Sequence, residues 1–276
     1  MKKKFSGIRC HLNYMGGKYH LAKWIISNFP EHSIYVEPFG GVAHVLVQKY
    51  PSKLEVYNDI NIDVVNLFRV LQDKTKREEL ISLLRFTPYS RKWFDDIRDG
   101  EYKIPTEDEE VRKAYRFLIL TRLSFASNIY KHKPTWGYNL KKDKMIMSFI
   151  NFTDKYIYEI IERFKMVQID MLDFRKVIEK YDSSDTLFYC DPPYFGREYY
   201  YKERFTKQDH IDLARMLNNI KGKACVSYYD FPELKELYPL SKWRIEKRGT
   251  FKHSEKVIGN KRQKSEELLL MNYEKI

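Results

Sequence analysis

Cysteine is scarce in this 276-residue chain, and Cys10, Cys190 and Cys225 lie far apart with no Cys-x-x-Cys pair among them. That excludes a disulfide framework and a thiolate metal site, and it suits a reducing compartment. The seven histidines, His11, His20, His32, His44, His132, His210 and His253, show no ligand spacing, so no metal centre is expected. Long apolar runs are missing too: nothing is long enough to cross a bilayer. Met1-Lys2-Lys3-Lys4 has the charge that opens a secretory leader, but Phe5 to Asn13 holds no apolar stretch to follow it. A soluble, cytoplasmic protein is the expectation. No internal repeat or low-complexity segment stands out, and neither a Gly-x-Gly-x-x-Gly nor a Walker lysine motif is present, which argues against a pyrophosphate or triphosphate ligand.

What is present is positive charge mixed with aromatic rings. Fifty Lys and Arg against 38 Asp and Glu give a formal charge of +12, alongside 22 Tyr and 17 Phe. A polyanion that also offers faces to stack on answers both features, and nucleic acid is such a partner. With 43% hydrophobic residues the chain can also bury a core.

Short apolar, β-branched or aromatic runs alternate with helical patterns: Ser33 to Val36, Leu54 to Tyr57, Met166 to Ile169, Thr186 to Cys190, Lys223 to Ser227, Trp243 to Glu246 and Leu268 to Asn272. The alternation predicts an α/β fold, a mostly parallel sheet with helices on both faces. Between Lys74 and Lys144 strand signals fade and helical ones follow each other. The expected organisation is a catalytic domain over 1–73 and 146–276 with an inserted, mainly helical unit over 74–145. The clearest element there runs from Thr106 to Arg122, where Thr106 and Glu109 form a capping box and Val111, Tyr115, Leu118 and Arg122 share a face. The acidic cluster Glu107 to Glu110 complements that helix start.

After the acidic cluster the charge changes sign. Arg112, Lys113, Arg116, Arg122, Lys131, Lys133, Lys141, Lys142 and Lys144 interleave with Tyr115, Phe125, Tyr130, Trp136 and Tyr138. Cations of this kind neutralise phosphates while aromatic and amide groups probe bases. Asn128, Thr135 and Asn139 are candidate base readers, or simply turn residues. A second basic stretch, Lys247 to Lys264, includes Lys252 and Lys261 and reads as a long loop crossing the DNA or closing over a base.

Two further motifs carry chemistry. Ile34 to Glu37 runs through Pro38-Phe39 into Gly40-Gly41, a glycine turn before a helix from Val42 to Gln48, and paired glycines let backbone approach a ligand. Eighteen residues past Gly41, Asn58-Asp59 ends a strand, where an acidic residue accepts hydrogen bonds from ribose hydroxyls. A ribose without phosphates points to S-adenosylmethionine. Lys18, on a helix beginning near Gly17, can pair with the carboxylate of its methionine, and Glu37 can hold the amino group or the helix entry.

The second motif is Asp191-Pro192-Pro193-Tyr194, at the end of the run Thr186 to Cys190. An exocyclic amino group is a poor nucleophile because its lone pair is delocalised into the ring. Asp191 can accept one of its hydrogens and the Pro192 carbonyl the other, which draws the nitrogen towards tetrahedral geometry. The prolines fix the backbone and add no competing donor, and Tyr194 supplies a face on which a base stacks for roughly 1–3 kcal/mol. A sulfonium methyl is already an activated electrophile, so the transfer needs no metal.

With these residues in view the chain resembles the Dam-type DNA adenine N6-methyltransferases along nearly its whole length. The likeness is carried by Tyr14-Met15-Gly16-Gly17-Lys18, Val36-Glu37-Pro38-Phe39-Gly40-Gly41, Asn58-Asp59, Asp170 after a strand, and Asp191-Pro192-Pro193-Tyr194. Arg122-Leu123-Ser124-Phe125 and Tyr138-Asn139-Leu140 are similar to the target-recognition insertion. The resemblance implies a Rossmann-like methyltransferase sheet and an S-adenosylmethionine site touched by Tyr14, Lys18, Asp59 and Asp191, with Phe39 packed nearby and Glu37, Gly40 and Asp170 in the same motifs. It implies a double-stranded DNA substrate whose target adenine is rotated out of the helix. Glu37 stands where the family more usually has Asp, and the insertion is short and divergent. A monomer is expected. Methylation of cytosine N4 or of an RNA adenine, and a silent DNA-binding relative, are the rival readings.

Overall fold

The computed structural model describes residues 4–14, 16–124, 133–137, 144–200, 205–251 and 264–274. Seven strands form one sheet: β1 Ile34–Glu37, β2 Leu54–Asn58, β3 Val167–Asp170, β4 Thr186–Cys190, β5 Lys223–Tyr228, β6 Arg244–Phe251 and β7 Lys264–Met271. Their order is β3-β2-β1-β4-β5-β7-β6, parallel through β5 and antiparallel where β7 inserts between β5 and β6. Every strand expected from the apolar runs is present.

Successive side chains on a strand point to opposite faces, and this sheet uses both. Tyr35, Tyr57, Leu187, Tyr189 and Cys225 join one buried cluster, whereas Val36, Val56, Phe188, Cys190, Ala224 and Val226 join the other. The first face is covered by α1 Ala22–Ser27, α2 His44–Gln48, α3 Ile62–Gln72, α4 Lys74–Arg85, α5 Arg91–Asp99, α6 Glu109–Leu123, α7 Lys144–Asn151 and α8 Ile157–Phe164. A five-residue π-helical segment, Phe152–Tyr156, joins the last two. The second face is covered by α9 Phe174–Tyr181, α10 Lys207–Leu217 and α11 Leu234–Leu237. Each fully buried Val, Leu or Phe contributes roughly 1.5–3 kcal/mol by leaving water.

Helices α4 to α6 fall inside the span expected as an insertion. Their buried residues, among them Leu80, Leu84, Phe94, Ile97, Val111 and Leu118, belong to the same cluster as Phe68 of α3 and Tyr57 of the sheet. Two boundaries differ from expectation. Helix α6 starts at Glu109, because Asp108 caps it by accepting from the Glu110 and Val111 amides, while Thr106 Oγ1 accepts from Asp108 N one turn earlier. Asp is as good a cap as Thr and sits closer to the apolar face. The basic stretch after Trp243 is also less of a loop than expected: β6 continues to Phe251 and pairs residue for residue with β7 back to Lys264. Lys252 and Lys261 lie outside the described residues.

The parallel strands share one direction, and the order reverses between β1 and β4, neighbours in space whose following residues, Pro38 and Asp191, lie far apart in the sequence. In open sheets of this kind the crevice beyond the carboxyl ends at such a reversal is where ligands bind. No helix among the described residues is long and apolar enough to cross a membrane.

Candidate functional site

A cleft opens at that reversal, with about 1020 Å³ of space when its open mouth is included. Its walls come from the loops that follow β1, β2, β3 and β4 and from the segment before α1. Seven of the residues expected to touch a cofactor meet there: Tyr14, Lys18, Glu37, Phe39, Gly40, Asp59 and Asp191. Asp173, Phe174, Phe205 and Asp209 also line it and were not anticipated.

The glycine turn is held from within. Gly40 N donates to Asn58 O (2.8 Å), Gly41 N to Asp59 Oδ2 (2.7 Å), and the Tyr57 hydroxyl to Gly41 O (2.6 Å). Gly41 has a φ of +49°, a left-handed conformation that suits glycine. A β-carbon on Gly40 would strike the Tyr57 ring. These glycines therefore first serve close packing inside the protein. Asn58 splices the same corner to the next strand loop, donating to Pro38 O and Leu172 O and accepting from Leu172 N.

Lys18 lies in the turn ahead of α1, which begins four residues later, and is 7% exposed. Its ammonium donates to Gly16 O (3.1 Å) and stands 2.8 Å from Asp191 Oδ1 and 3.6 Å from Glu267 Oε1, over the Tyr194 ring at 4.8 Å. The contact with Asp191 pairs the two charges at hydrogen-bond distance inside the protein. Burial raises the Asp191 carboxyl, and Lys18 works against that rise. Glu37, 2% exposed, accepts from the Tyr35 hydroxyl (2.7 Å), and burial pushes its carboxyl up to about 8.

Tyr194 is buried behind the cleft wall. Its hydroxyl donates to Glu267, and its ring meets Tyr229 edge-on at 4.6 Å and Tyr228 at 5.8 Å. Pro193 lines the cleft, whereas Pro192 is buried and does not.

Asp170 has to be corrected as a cleft residue. It ends the edge strand β3, where its carboxylate accepts from the Tyr181 hydroxyl (2.7 Å) and pairs with Lys180 (3.2 Å). The cleft is reached three residues later by Asp173, which caps α9, and by Phe174. Phe39, Phe174 and Phe205 form an aromatic trio with centroids 5.3–5.8 Å apart.

Among the expected DNA contacts, Arg122 is also corrected. It is 7% exposed, donates to His11 O (2.5 Å), Ser148 O (2.8 Å) and Ser148 Oγ (2.9 Å), and lies over Phe152 at 4.8 Å. A cation so enclosed braces the interior and cannot reach a phosphate. Trp136 is half-buried against Tyr89 and Phe94. Arg116 is exposed, but its guanidinium caps the last carbonyls of α5, Ile97 O and Arg98 O. Lys133 is exposed and pairs with Asp99 at 2.8 Å. Asn128, Lys131 and Tyr138 lie outside the described residues.

The model of the D12 class N6 adenine-specific DNA methyltransferases matches residues 14–251, most of the chain and every residue that lines the cleft. This chain belongs to that family. Members that it resembles include the Type II methyltransferase M.MjaIII of Methanocaldococcus jannaschii, 27% identical over 235 residues covering 77% of this chain and 80% of the relative. The Type II methyltransferase M1.LlaDCHI of Lactococcus lactis subsp. cremoris is 25% identical over 86% of this chain and 87% of its own. A DNA adenine methylase of Vibrio cholerae is 26% identical over 67% of this chain and 65% of its own. The protein is thus an adenine-specific DNA methyltransferase, and the seven-stranded, mostly parallel sheet is the Rossmann-like scaffold of its reaction. Use of S-adenosylmethionine follows from the family.

Proposed function

We propose that the cleft at the β1–β4 reversal binds S-adenosylmethionine and that Asp191, Pro192 and Tyr194 receive an adenine rotated out of double-stranded DNA, giving site-specific N6 methylation. The observation that carries this reading is the convergence of Lys18, Glu37, Asp59 and Asp191, from four separate segments, on one cleft. The donor set fits the cofactor. Carboxylates outnumber the one lysine along the walls, which suits a sulfonium that also bears an ammonium, and the Phe39–Phe174–Phe205 trio offers apolar surface of a purine's size. Bound there, the cofactor supplies a methyl group already activated for transfer.

The chain's own residues do the rest. Lys18 opposes the rise that burial imposes on the Asp191 carboxyl and so favours the ionised form that can accept a hydrogen from the amino group. The fixed backbone of Pro192 and Pro193 sets the second acceptor without reorganisation. Asp59 ties the glycine turn to β2 and faces the cleft from the side suited to ribose hydroxyls. Residues 74–145 act as the recognition unit in this reading, with exposed cations such as Lys133 on phosphates.

Two measurements test it together. Nucleoside mass spectrometry on DNA from cells expressing the protein should show N6-methyladenine, and calorimetry should show S-adenosylmethionine binding that Lys18→Ala weakens by about tenfold or more. Methylated cytosine in place of adenine, or no cofactor affinity, would overturn the reading.

A further inference from the structure

Glu267 belongs to no motif that drew attention in the sequence, yet it is the second carboxylate of the Lys18 site. It lies on the antiparallel strand β7 and is 2% exposed. One of its oxygens, Oε1, accepts the Tyr194 hydroxyl and stands 3.6 Å from Lys18 Nζ. Lys18 in turn stands 2.8 Å from Asp191 Oδ1 and over the Tyr194 ring. Residues 18, 191, 194 and 267, from three distant parts of the chain, thus form one closed arrangement in which a single ammonium serves two buried carboxylates.

Such an arrangement is a poor device for stability. Taking a carboxylate out of water costs several kcal/mol unless its partners are excellent, and an apolar or amide replacement of similar size often does as well. The Lys18–Asp191 pair would be complete without Glu267. What Glu267 adds is a fixed direction for the Tyr194 hydroxyl and a competing claim on the lysine.

We propose that Glu267 is a positioning residue for the methyl transfer: through Tyr194 it orients the ring, and through Lys18 it sets how much positive charge reaches Asp191. The assignment rests on the reading that Asp191 and Tyr194 receive the target base. An Asp191 fully neutralised by Lys18 would accept the amino hydrogen weakly, and one with no lysine would be protonated. Glu267 keeps the ammonium between those limits. Burial and the nearby Asp191 raise the Glu267 carboxyl, while Lys18 and Tyr194 oppose the rise. The other groups around it are Tyr189 and Tyr229, whose acidities it also perturbs. Arg248 is its register partner on the neighbouring strand β6, with its guanidinium over Trp24.

Glu267→Gln keeps the size and the acceptor for Tyr194 but removes the charge. Lys18 then pairs wholly with Asp191 and the like charge beside Asp191 is gone, so Asp191 holds its proton less tightly. With S-adenosylmethionine and unmethylated plasmid DNA, kcat should fall about tenfold, and the acid limb of its pH profile should move down by about one unit. KM for DNA should hardly change. Tyr194→Phe should reduce kcat as well, and the double variant should be no slower than the slower single variant, since both act through one contact. Melting temperatures of all three, measured alongside, separate positioning from folding. The proposal is overturned if Glu267→Gln keeps the parent kcat and acid limb, if its losses follow lost folded protein, or if they multiply with those of Tyr194→Phe. Asp191→Ala tests the underlying reading independently: should that variant stay active, the site assignment itself fails, whereas an inactive Asp191→Ala beside an unaffected Glu267→Gln removes only the role of Glu267.

Discussion

Lys18 and Arg122 are both cations at 7% exposure, and the two regions that hold them teach opposite lessons about buried charge. At the carboxyl ends of the parallel strands, Lys18 faces two carboxylates and opens on a cleft. Within the helical layer, Arg122 faces the carbonyls of His11 and Ser148, a serine hydroxyl and a phenyl ring. Burial pulls its guanidinium down to about 10, with only a thiol nearby to oppose the fall. Partners decide the role. A cation answered by carboxylates beside a cavity is placed to tune a reaction, and one answered by neutral carbonyls ties together the segments that supply them.

The largest effect that would break this contrast is on activity. Asp191→Ala should lower methyl transfer by about 10³-fold or more, the scale on which a preorganised polar group contributes to a transition state, with little change in melting temperature. A turnover within tenfold of the parent would remove Asp191 from the reaction. The next effect is on stability. Arg122→Met should cost about 2–4 kcal/mol in urea unfolding because it strands the His11 and Ser148 carbonyls without donors, while the folded fraction keeps its kcat. Loss of activity without loss of stability would show that the two regions are not as different as their partners suggest.

A smaller effect concerns pH. The Glu37 carboxyl is pushed up to about 8 from an ordinary value of 4.5. Between those values the unfolded chain has released this proton and the folded chain still holds it, so the contribution of Glu37 is complete below 4.5 and is lost as pH rises through 8. Asp191 and Glu267 are raised in the same direction. Glu37→Gln should flatten, without abolishing, the fall in urea midpoint of the ligand-free protein over that window. An unchanged slope would mean that Glu37 is ionised in the folded protein. The smallest effect is at the surface: Lys133→Ala should leave the melting temperature unchanged and reduce the salt slope of DNA binding by about one. An unchanged slope would take Lys133 off the phosphates.

How far the sequence revealed all this depends on the kind of signal each residue left. The seven strands were legible because apolar alternation survives in short runs; among the cleft residues, Glu37, Phe39, Gly40 and Asp191 were legible from the glycines and prolines at strand ends, Asp59 from its place after β2, Lys18 from the glycine pair before it, and Tyr14 from the family resemblance. Arg122 was legible in geometry and misread in chemistry: the face it shares with Val111, Tyr115 and Leu118 is the buried one, so the helical period already placed it inside. Asp170 entered only through the family resemblance, as an acid after a strand, whereas the acid that lines the cleft from this loop is Asp173, three residues further on. Glu267 left the least trace. In the string Glu266-Glu267-Leu268 an acidic pair before an apolar run looks like a solvated strand entry, and only the antiparallel pairing of β7 with β5 carries one of the two to Lys18.

The corner that bears Lys18 has a consequence for how this enzyme can diversify. A side chain at position 17 would run into the imidazole of His44, the first residue of α2, and that imidazole is itself bonded to Leu12 O at 2.9 Å. The two positions depend on each other: enlarging residue 17 demands a smaller residue 44, and shrinking residue 44 abandons the Leu12 carbonyl. Variation at this corner is therefore coupled: joint randomisation should return larger residues at position 17 that randomising position 17 alone does not.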